Sequence, residues 1–232
     1  LVMYVLFALV AITQFNLEIH AKVKHQDAVD LKSKENRKRF TAMMLVCTMF
    51  AICWIAYIQW ETTIASFTQS INISMSQYSV LWTINGIMIL VAQPLIRPII
   101  VILRGNLKHQ MFVGILIFMS SFLVTSFAHH FAIFVVGMVI LTFGEMFVWP
   151  AVPTIANKLA PEGKQGQYQG FVNSASTVGK AFGPFIGGIL VDAMNMSMMF
   201  VGMIVLLCFG LIFLSIFDRG LPKDKNETPI PR

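Results

Sequence analysis

Six stretches of this chain are apolar over a length that would cross a lipid bilayer. They cover approximately residues 41–68, 78–103, 111–128, 131–156, 167–191 and 197–217. A helix needs roughly 20 apolar residues to cross a hydrocarbon core ~30 Å thick. Hydrophobic residues make up 56% of the chain and charged residues only 12%, whereas soluble domains carry about 25% charged residues. The sequence therefore predicts an all-α, multi-pass membrane protein.

A seventh apolar segment, Leu1–Phe15, is too short to span a bilayer. It also lacks the charged n-region and the cleavage site of a signal peptide. We interpret residues 1–15 as the end of a truncated transmembrane helix, and the chain as the C-terminal piece of a longer protein. The predicted organisation continues with a loop at 16–40, a six-helix transmembrane bundle at 41–217 and a tail at 218–232.

The basic residues of the loops predict the orientation. Loops 16–40, 104–110 and 157–166 and the tail 218–232 hold fifteen of the seventeen Lys and Arg residues, and the alternate loops hold none. The positive-inside rule places these basic loops and the C-terminus in the cytoplasm. Because topology accounts for the net charge of +6, we expect no nucleic-acid partner.

The sequence offers no signature of an enzyme. Its three cysteines lie inside spans at no metal-like spacing, so we expect no metal site. We find neither a nucleophile–base set nor a nucleotide-binding loop. We therefore expect no cofactor and no catalysis.

Four ionisable residues interrupt the apolar stretches: Glu61, Arg97, Glu145 and Lys180. A charge near the bilayer centre costs about 2.5–3.5 kcal/mol on insertion scales, so such residues usually mark a substrate or ion pathway. A membrane receptor or scaffold would not need paired charges at that depth. Segments 111–128 and 197–217 carry no charge, so the order of spans is polar, polar, apolar, twice over. This order predicts two inverted three-helix repeats, as in many secondary transporters.

The first span places Trp54, Tyr57 and Glu61 on one helical face. Glu61 either caps the outer interface in water or forms a cavity carboxylate that can carry a proton. In the second span, Pro94 and Pro98 predict a bend beside Arg97, because proline removes a backbone hydrogen bond. Arg97 lies ~9 Å from the cytoplasmic end, where it either snorkels to headgroups or helps to close an inner gate.

Glu145 and Lys180 lie at similar depths, ~17 Å and ~20 Å from the cytoplasmic ends of their helices. They could therefore form an ion pair, either a purely structural pair or one that separates when Glu145 takes a proton. The Lys180 helix also carries glycines at four-residue spacing, which predict close packing against another helix. The glycines in question are Gly179, Gly183 and Gly187, and Pro184 is a candidate hinge.

Four stretches belong together: Gly144–Gly188, Tyr57–Trp60, Leu81–Gly86 and Gln93–Leu95. They resemble the major facilitator superfamily, particularly bacterial multidrug-efflux proton antiporters. The first is similar to the tenth and eleventh helices of that family, and the other three are similar to the seventh and eighth. The resemblance implies a twelve-helix fold in which 16–40 joins two six-helix bundles. It also implies that helices seven and ten line the cavity and that nine and twelve face lipid. The Gly-Pro-x-x-Gly-Gly motif usually belongs to the fifth helix, whereas here it stands at Gly183–Gly188.

The function that we expect is proton-driven export of amphipathic small molecules across a bacterial plasma membrane, by rocking of two bundles. Trp54, Tyr57 and Trp149 would offer aromatic surface to the substrate, and Glu61 and Glu145 would bind protons or cations. The alternative is proton-coupled uptake, for instance of peptides, because peptide transporters resemble this chain at Lys158–Pro161. The expected partners are the substrate, protons, the lipid bilayer and an N-terminal six-helix half.

Overall fold

Each of the six apolar stretches coincides with helix in the computed structural model, which describes residues 34–102 and 106–221. No strand occurs within these two ranges. The helices, in chain order, are α1 (Lys34–Tyr57), α2 (Thr63–Ser70), α3 (Met75–Ile102), α4 (Leu107–Thr125), α5 (Phe131–Leu159), α6 (Gln165–Ala193) and α7 (Met196–Ile216), with a 3-10 turn at Ile58–Trp60 after α1. The predicted truncated helix 1–15 and most of loop 16–40 lie outside the described residues.

Within the described residues, five helical segments are both long enough and apolar enough to cross a membrane. They are Glu35–Ser70, Met75–Ala92, Leu107–Thr125, Phe131–Leu159 and Met196–Ile216. The sixth predicted span, α6, has 29 residues and is therefore long enough, but it is less apolar. Its lower hydropathy comes from Lys180 and from exposed polar residues such as Asn173 and Thr177.

The first span differs from its prediction at both ends. Lys34–Phe40, assigned to the loop, already belong to α1. At the other end the helix breaks: the backbone N–H groups of Glu61 and Thr62 both donate to the carbonyl of Ile58, at 3.0 and 3.2 Å. Thr62 then departs from helical geometry (φ −121°, ψ −79°) before α2 begins. The span is therefore two helices joined by a tight turn.

A buried glutamine accompanies this break. The Gln59 amide nitrogen donates to the carbonyls of Ile55 (2.9 Å) and Gly183 (2.8 Å), and its oxygen accepts from the Thr63 hydroxyl at 2.6 Å. The Gly183 contact ties the turn to α6, so a polar side chain within the membrane-length segment is satisfied across a helix interface.

The glycines of α6 pack against α1, as their spacing predicts. Gly179, Gly183 and Gly187 are buried. A Cβ on Gly179 would lie 2.5 Å from Cβ of Trp54 and 2.6 Å from the carbonyl oxygen of Ala51, whereas a Cβ on Gly188 would meet nothing within 4 Å. Gly179, Gly183 and Gly187 therefore allow close approach of the two helices, whereas Gly188 takes no part in this contact.

Helices α4 and α5 form a second close pair. A Cβ on Gly144 would lie 2.6 Å from the Phe118 ring, so the absence of a side chain leaves room for this aromatic residue. The Ser121 hydroxyl donates to the Gly137 carbonyl at 2.7 Å, and the Gln110 amide donates to the Phe147 carbonyl at 2.9 Å. These hydrogen bonds fix the register of α4 on α5.

The prolines expected to bend helices lie within continuous helix. Pro94 and Pro98 are exposed on α3, which continues to Ile102, and α6 continues past Pro184 to Ala193. Their role as hinges stays a prediction. The side chain of Arg97 lies outside what the structure describes.

Candidate functional site

The three aromatic residues singled out in the sequence lie together where α1 meets α5. Trp54 and Trp149 stack with ring centroids 4.7 Å apart and planes 7° apart. Tyr57 lies edge-on to both rings, at 5.3 Å from Trp54 and 5.5 Å from Trp149. Phe50 and Phe118 flank Trp149 at 5.3 and 5.5 Å. We call these five residues the aromatic cluster.

Glu145 lies beside this cluster in a buried polar network. Only 4% of its surface is exposed. Asn85 of α3 donates from its amide nitrogen to Oε2 of Glu145 at 2.8 Å and to the Thr142 hydroxyl at 2.9 Å. The Tyr57 side chain lies close to the carboxyl group and interacts with it. Three helices, α1, α3 and α5, therefore converge on one carboxyl group.

Asn85 and Thr142 were not expected from the sequence pattern to contact Glu145. Asn85 is 7% exposed, and an amide inside an apolar span is costly unless it is hydrogen-bonded. This cost could have indicated from the sequence that Asn85 needs a hydrogen-bond partner, and Glu145 supplies the acceptor. Thr142 in turn donates its hydroxyl proton to the Met138 carbonyl, one turn back on α5, at 2.8 Å.

The expected ion pair between Glu145 and Lys180 is wrong for this structure. Within residues 34–102 and 106–221 the ion pairs closer than 4.0 Å are Glu35–Arg39 and Lys108–Asp218. Nζ of Lys180 instead lies 4.0 Å from the centroid of the Trp54 ring. Lys180 therefore interacts with Trp54 and Glu145 with Tyr57, so each charge contacts the aromatic cluster instead of the other charge.

Glu61 lies at the break between α1 and α2 and takes no part in the hydrogen bonds of this network. It is exposed, and no hydrogen bond or ion pair of its side chain is found in the described part of the chain. Its position is compatible with both interpretations of the sequence, a solvated residue or a cavity carboxylate. A role for Glu61 in coupling stays a prediction.

A separate groove of about 490 Å³ lies near the same break, between α2, α6 and the start of α7. Hydroxyl groups line one side, and Asp192 supplies a carboxylate at the rim. The lining residues are Thr62, Thr63, Ser66, Phe67, Ser70, Pro184, Gly188, Val191, Asp192 and Met196. The groove does not include Glu145 or the aromatic cluster.

Two comparisons with known proteins bear on this arrangement. An uncharacterized MFS-type transporter of Bacillus subtilis (strain 168), YttB, is 43% identical over 227 residues, which cover 98% of this chain and 57% of the relative. Another uncharacterized MFS-type transporter, MJ1560 of Methanocaldococcus jannaschii, is 33% identical over 88 residues, 37% of this chain and 23% of the relative. The chain thus spans little more than half the length of the longer match.

The sequence profile of the Major Facilitator Superfamily matches residues 40–232. The matched region begins inside α1 and includes all the helices that follow, with the aromatic cluster and the Glu145 network. An all-helical, multi-pass membrane architecture is the one that the apolar spans require. The chain therefore belongs to the major facilitator superfamily.

Proposed function

We propose that this chain forms one half of a secondary active transporter that uses a proton gradient to export amphipathic small molecules. The observation that carries the proposal is the environment of Glu145: a carboxyl group almost completely buried at a junction of three helices, with hydrogen-bond partners that are neutral side chains. No cation lies within 4.0 Å of it among the described residues.

A carboxylate in such a place is suited to proton coupling. Burying an unpaired charge in a low-dielectric region is unfavourable, and binding a proton removes that charge. The energetic cost of the Glu145 charge is therefore removed when the residue binds a proton, and it is lowered when the surrounding helices open to water. A change of conformation that alters this exposure is thereby linked to proton binding.

The aromatic cluster supports a flat or apolar portion of the substrate. Trp54 and Trp149 are only partly buried in this half, and aromatic side chains offer a large contact area with few rotatable bonds. Because Tyr57 contacts both indoles and the Glu145 carboxyl group, a substrate on the cluster would lie close to the proton site. Close proximity of the two sites is what coupling requires.

We expect alternating access to occur by rocking of two helical bundles against each other. The close contacts between α1 and α6 and between α4 and α5 make this half a well-packed body. The second bundle, expected in a longer chain, would close the open side of the site. A bacterial plasma membrane, with the C-terminus in the cytoplasm, is the location that the basic loops and the Bacillus relative support.

Proton-coupled uptake is the second candidate, and the position of Lys180 favours it. A substrate anion at Lys180 and a proton on Glu145 would compensate in charge, so the two could move together. Peptides, with their terminal carboxylate, are one substrate class of this kind.

Flux in everted membrane vesicles tests these proposals. Vesicles that contain the full-length protein receive an imposed pH gradient, and the fluxes of a rhodamine dye and of a radiolabelled dipeptide are measured. Accumulation of the dye against its gradient, abolished by a protonophore, supports export. Gradient-driven dipeptide movement in the direction of the proton supports uptake. If neither flux responds to the gradient and neither differs from vesicles without the protein, proton-coupled transport of these classes is wrong.

A further inference from the structure

Lys180 is a cation far from either end of its helix. It lies fifteen residues after Gln165 and thirteen before Ala193, which places it ~22 Å and ~20 Å from the two ends. A lysine at that depth reaches an interface by snorkelling only with difficulty, so its ammonium group needs a partner or water within the membrane region.

The partner that the structure provides satisfies the charge only in part. Nζ of Lys180 lies 4.0 Å from the Trp54 ring centroid, a cation–π contact. An ammonium group has three N–H donors, and an aromatic face accepts none of them as a normal hydrogen bond. No carboxylate lies within 4.0 Å of it in the described residues. The side chain is exposed, so these donors remain open to a ligand.

Other polar groups lie around Lys180. Trp54 Nε1 is buried and has no acceptor among the described residues. On α6, exposed Thr177 and Asn173 precede Lys180 by three and seven residues, so all three lie on one helical face. Asp192, the next acid along α6, is twelve residues further on, which is ~18 Å.

We propose that Lys180 binds an anionic group of the transported substrate, and that the substrate is an amphiphilic organic anion whose flat apolar portion lies on Trp54 and Trp149. The ammonium group supplies charge-assisted hydrogen bonds to a carboxylate, and the stacked indoles supply the apolar surface beside it. The inference rests on the proposed transport function, in either direction, and adds the chemical class of the substrate.

A matched pair of dyes tests this inference. The probes are dansylglycine, which is an anion at neutral pH, and its methyl ester, which is neutral; they share one aromatic core and differ in the anionic group. Binding to the purified full-length protein is measured by fluorescence polarisation, without a proton gradient. The variants are Lys180→Met, Lys180→Gln and Lys180→Arg, and Lys164→Met, at the start of the same helix, is the control.

We expect Lys180→Met and Lys180→Gln to weaken binding of the free acid at least about tenfold, the usual effect of losing a charge-assisted hydrogen bond. Binding of the ester should change less than about twofold, and Lys164→Met should stay close to the wild type for both dyes. Lys180→Arg keeps the positive charge, so it should retain binding of the acid better than either neutral variant. The two neutral variants protect the test against the misfolding of either one.

Three outcomes would overturn the inference. Binding of acid and ester could weaken equally in the neutral variants, which would indicate that Lys180 pairs with an acid of the second bundle. Binding of the acid could stay unchanged in both neutral variants, or the wild type could bind neither dye. Gradient-driven flux of the same dyes separates the inference from the proposed function. Lys180-dependent binding without any driven flux refutes transport of these dyes and leaves only anion binding at Lys180, whereas driven flux of both dyes regardless of Lys180 supports transport and refutes the role of Lys180.

Discussion

At the scale of single residues, Asn85 is central to the geometry around Glu145. Its amide nitrogen donates to two acceptors, the Glu145 carboxyl group and the Thr142 hydroxyl, and so links α3 to α5. An NH₂ group can only donate, so this contact holds one carboxyl oxygen of Glu145 in place. We expect Asn85 to position Glu145 in the proposed transport cycle as well.

Removing the Asn85 amide should lower both the stability and the transport activity. We predict that Asn85→Ala destabilises the full-length protein by about 1–3 kcal/mol, because it leaves buried hydrogen-bonding groups unsatisfied, and that it slows proton-driven transport. Thr83→Ala, two residues earlier and exposed, is the control and should be close to neutral. Thermal unfolding in detergent and initial transport rates measure the two effects. Equal behaviour of the two variants would rule out a positioning role.

The separation of Glu145 and Lys180 gives a second prediction at this scale. Residues without direct contact or shared partners usually have additive effects within about 0.3–0.5 kcal/mol. We expect the stability changes of Glu145→Gln and Lys180→Met to add within that range in a double-mutant cycle on the full-length protein. A coupling energy well above 1 kcal/mol would show that the two charges do pair, in this or another conformation.

At the scale of helices, the sequence predicts much of the fold because one physical quantity, the bilayer thickness, sets the length of each apolar stretch. The predicted span 78–103 corresponds to α3 at Met75–Ile102, and 197–217 to α7 at Met196–Ile216. The break at Ile58–Thr62 could not be predicted this way. It accompanies a hydrogen bond between Gln59 and Gly183, and the sequence around Gln59 does not contain that partner.

The mistaken ion pair has a related cause. Counting residues along a helix gives the depth of Glu145 and Lys180, and these depths do agree. Counting residues does not show which side chains lie between two helices or which partner each charge contacts. In this structure Glu145 interacts with Tyr57 and Asn85, and Lys180 interacts with Trp54. The shared helical face of Trp54 and Tyr57 was predictable from their spacing, whereas the contacts of the charges were not.

The contact between α1 and α6 yields a prediction with a control on the same helix. Gly179→Ala places a methyl group 2.5 Å from Cβ of Trp54 and 2.6 Å from a backbone oxygen, so the helices must separate, at a cost of about 1–3 kcal/mol. Gly188→Ala meets no atom within 4 Å and should be neutral or slightly stabilising, because alanine favours helix. Thermal unfolding of the two full-length variants measures this. Equal stability would mean that the close contact does not persist in the membrane.

At the scale of the whole molecule, the orientation in the membrane is open to direct measurement. The turn between α2 and α3 should be extracellular, and the loop between α5 and α6 cytoplasmic. Ser74 is a poor labelling site, because its hydroxyl accepts from Gln77 N–H and caps α3. Exposed Ser76 is a better one, and exposed Glu162 serves the other side.

In a background without native cysteines, we expect Ser76→Cys to react with an impermeant thiol reagent in intact cells. Glu162→Cys should react only after permeabilisation. The reverse pattern would invert the topology and with it the side of the membrane from which the site fills. The two inverted three-helix repeats stay a prediction, as does the twelve-helix whole.

Glu145 is the residue that we propose to carry the coupled proton. The most direct test of that role is proton flux driven by a substrate gradient, recorded with an interior pH dye in liposomes that contain the full-length wild type, Glu145→Gln or Glu61→Gln. A dye or dipeptide that the vesicle experiment identifies as transported supplies the gradient. We predict that Glu145→Gln abolishes substrate-driven proton movement and retains substrate exchange without a gradient, and Glu61→Gln tests separately whether Glu61 takes part in coupling. Proton movement at the wild-type rate in Glu145→Gln would contradict the proposed role of Glu145, and its loss in Glu61→Gln alone would transfer that role to Glu61.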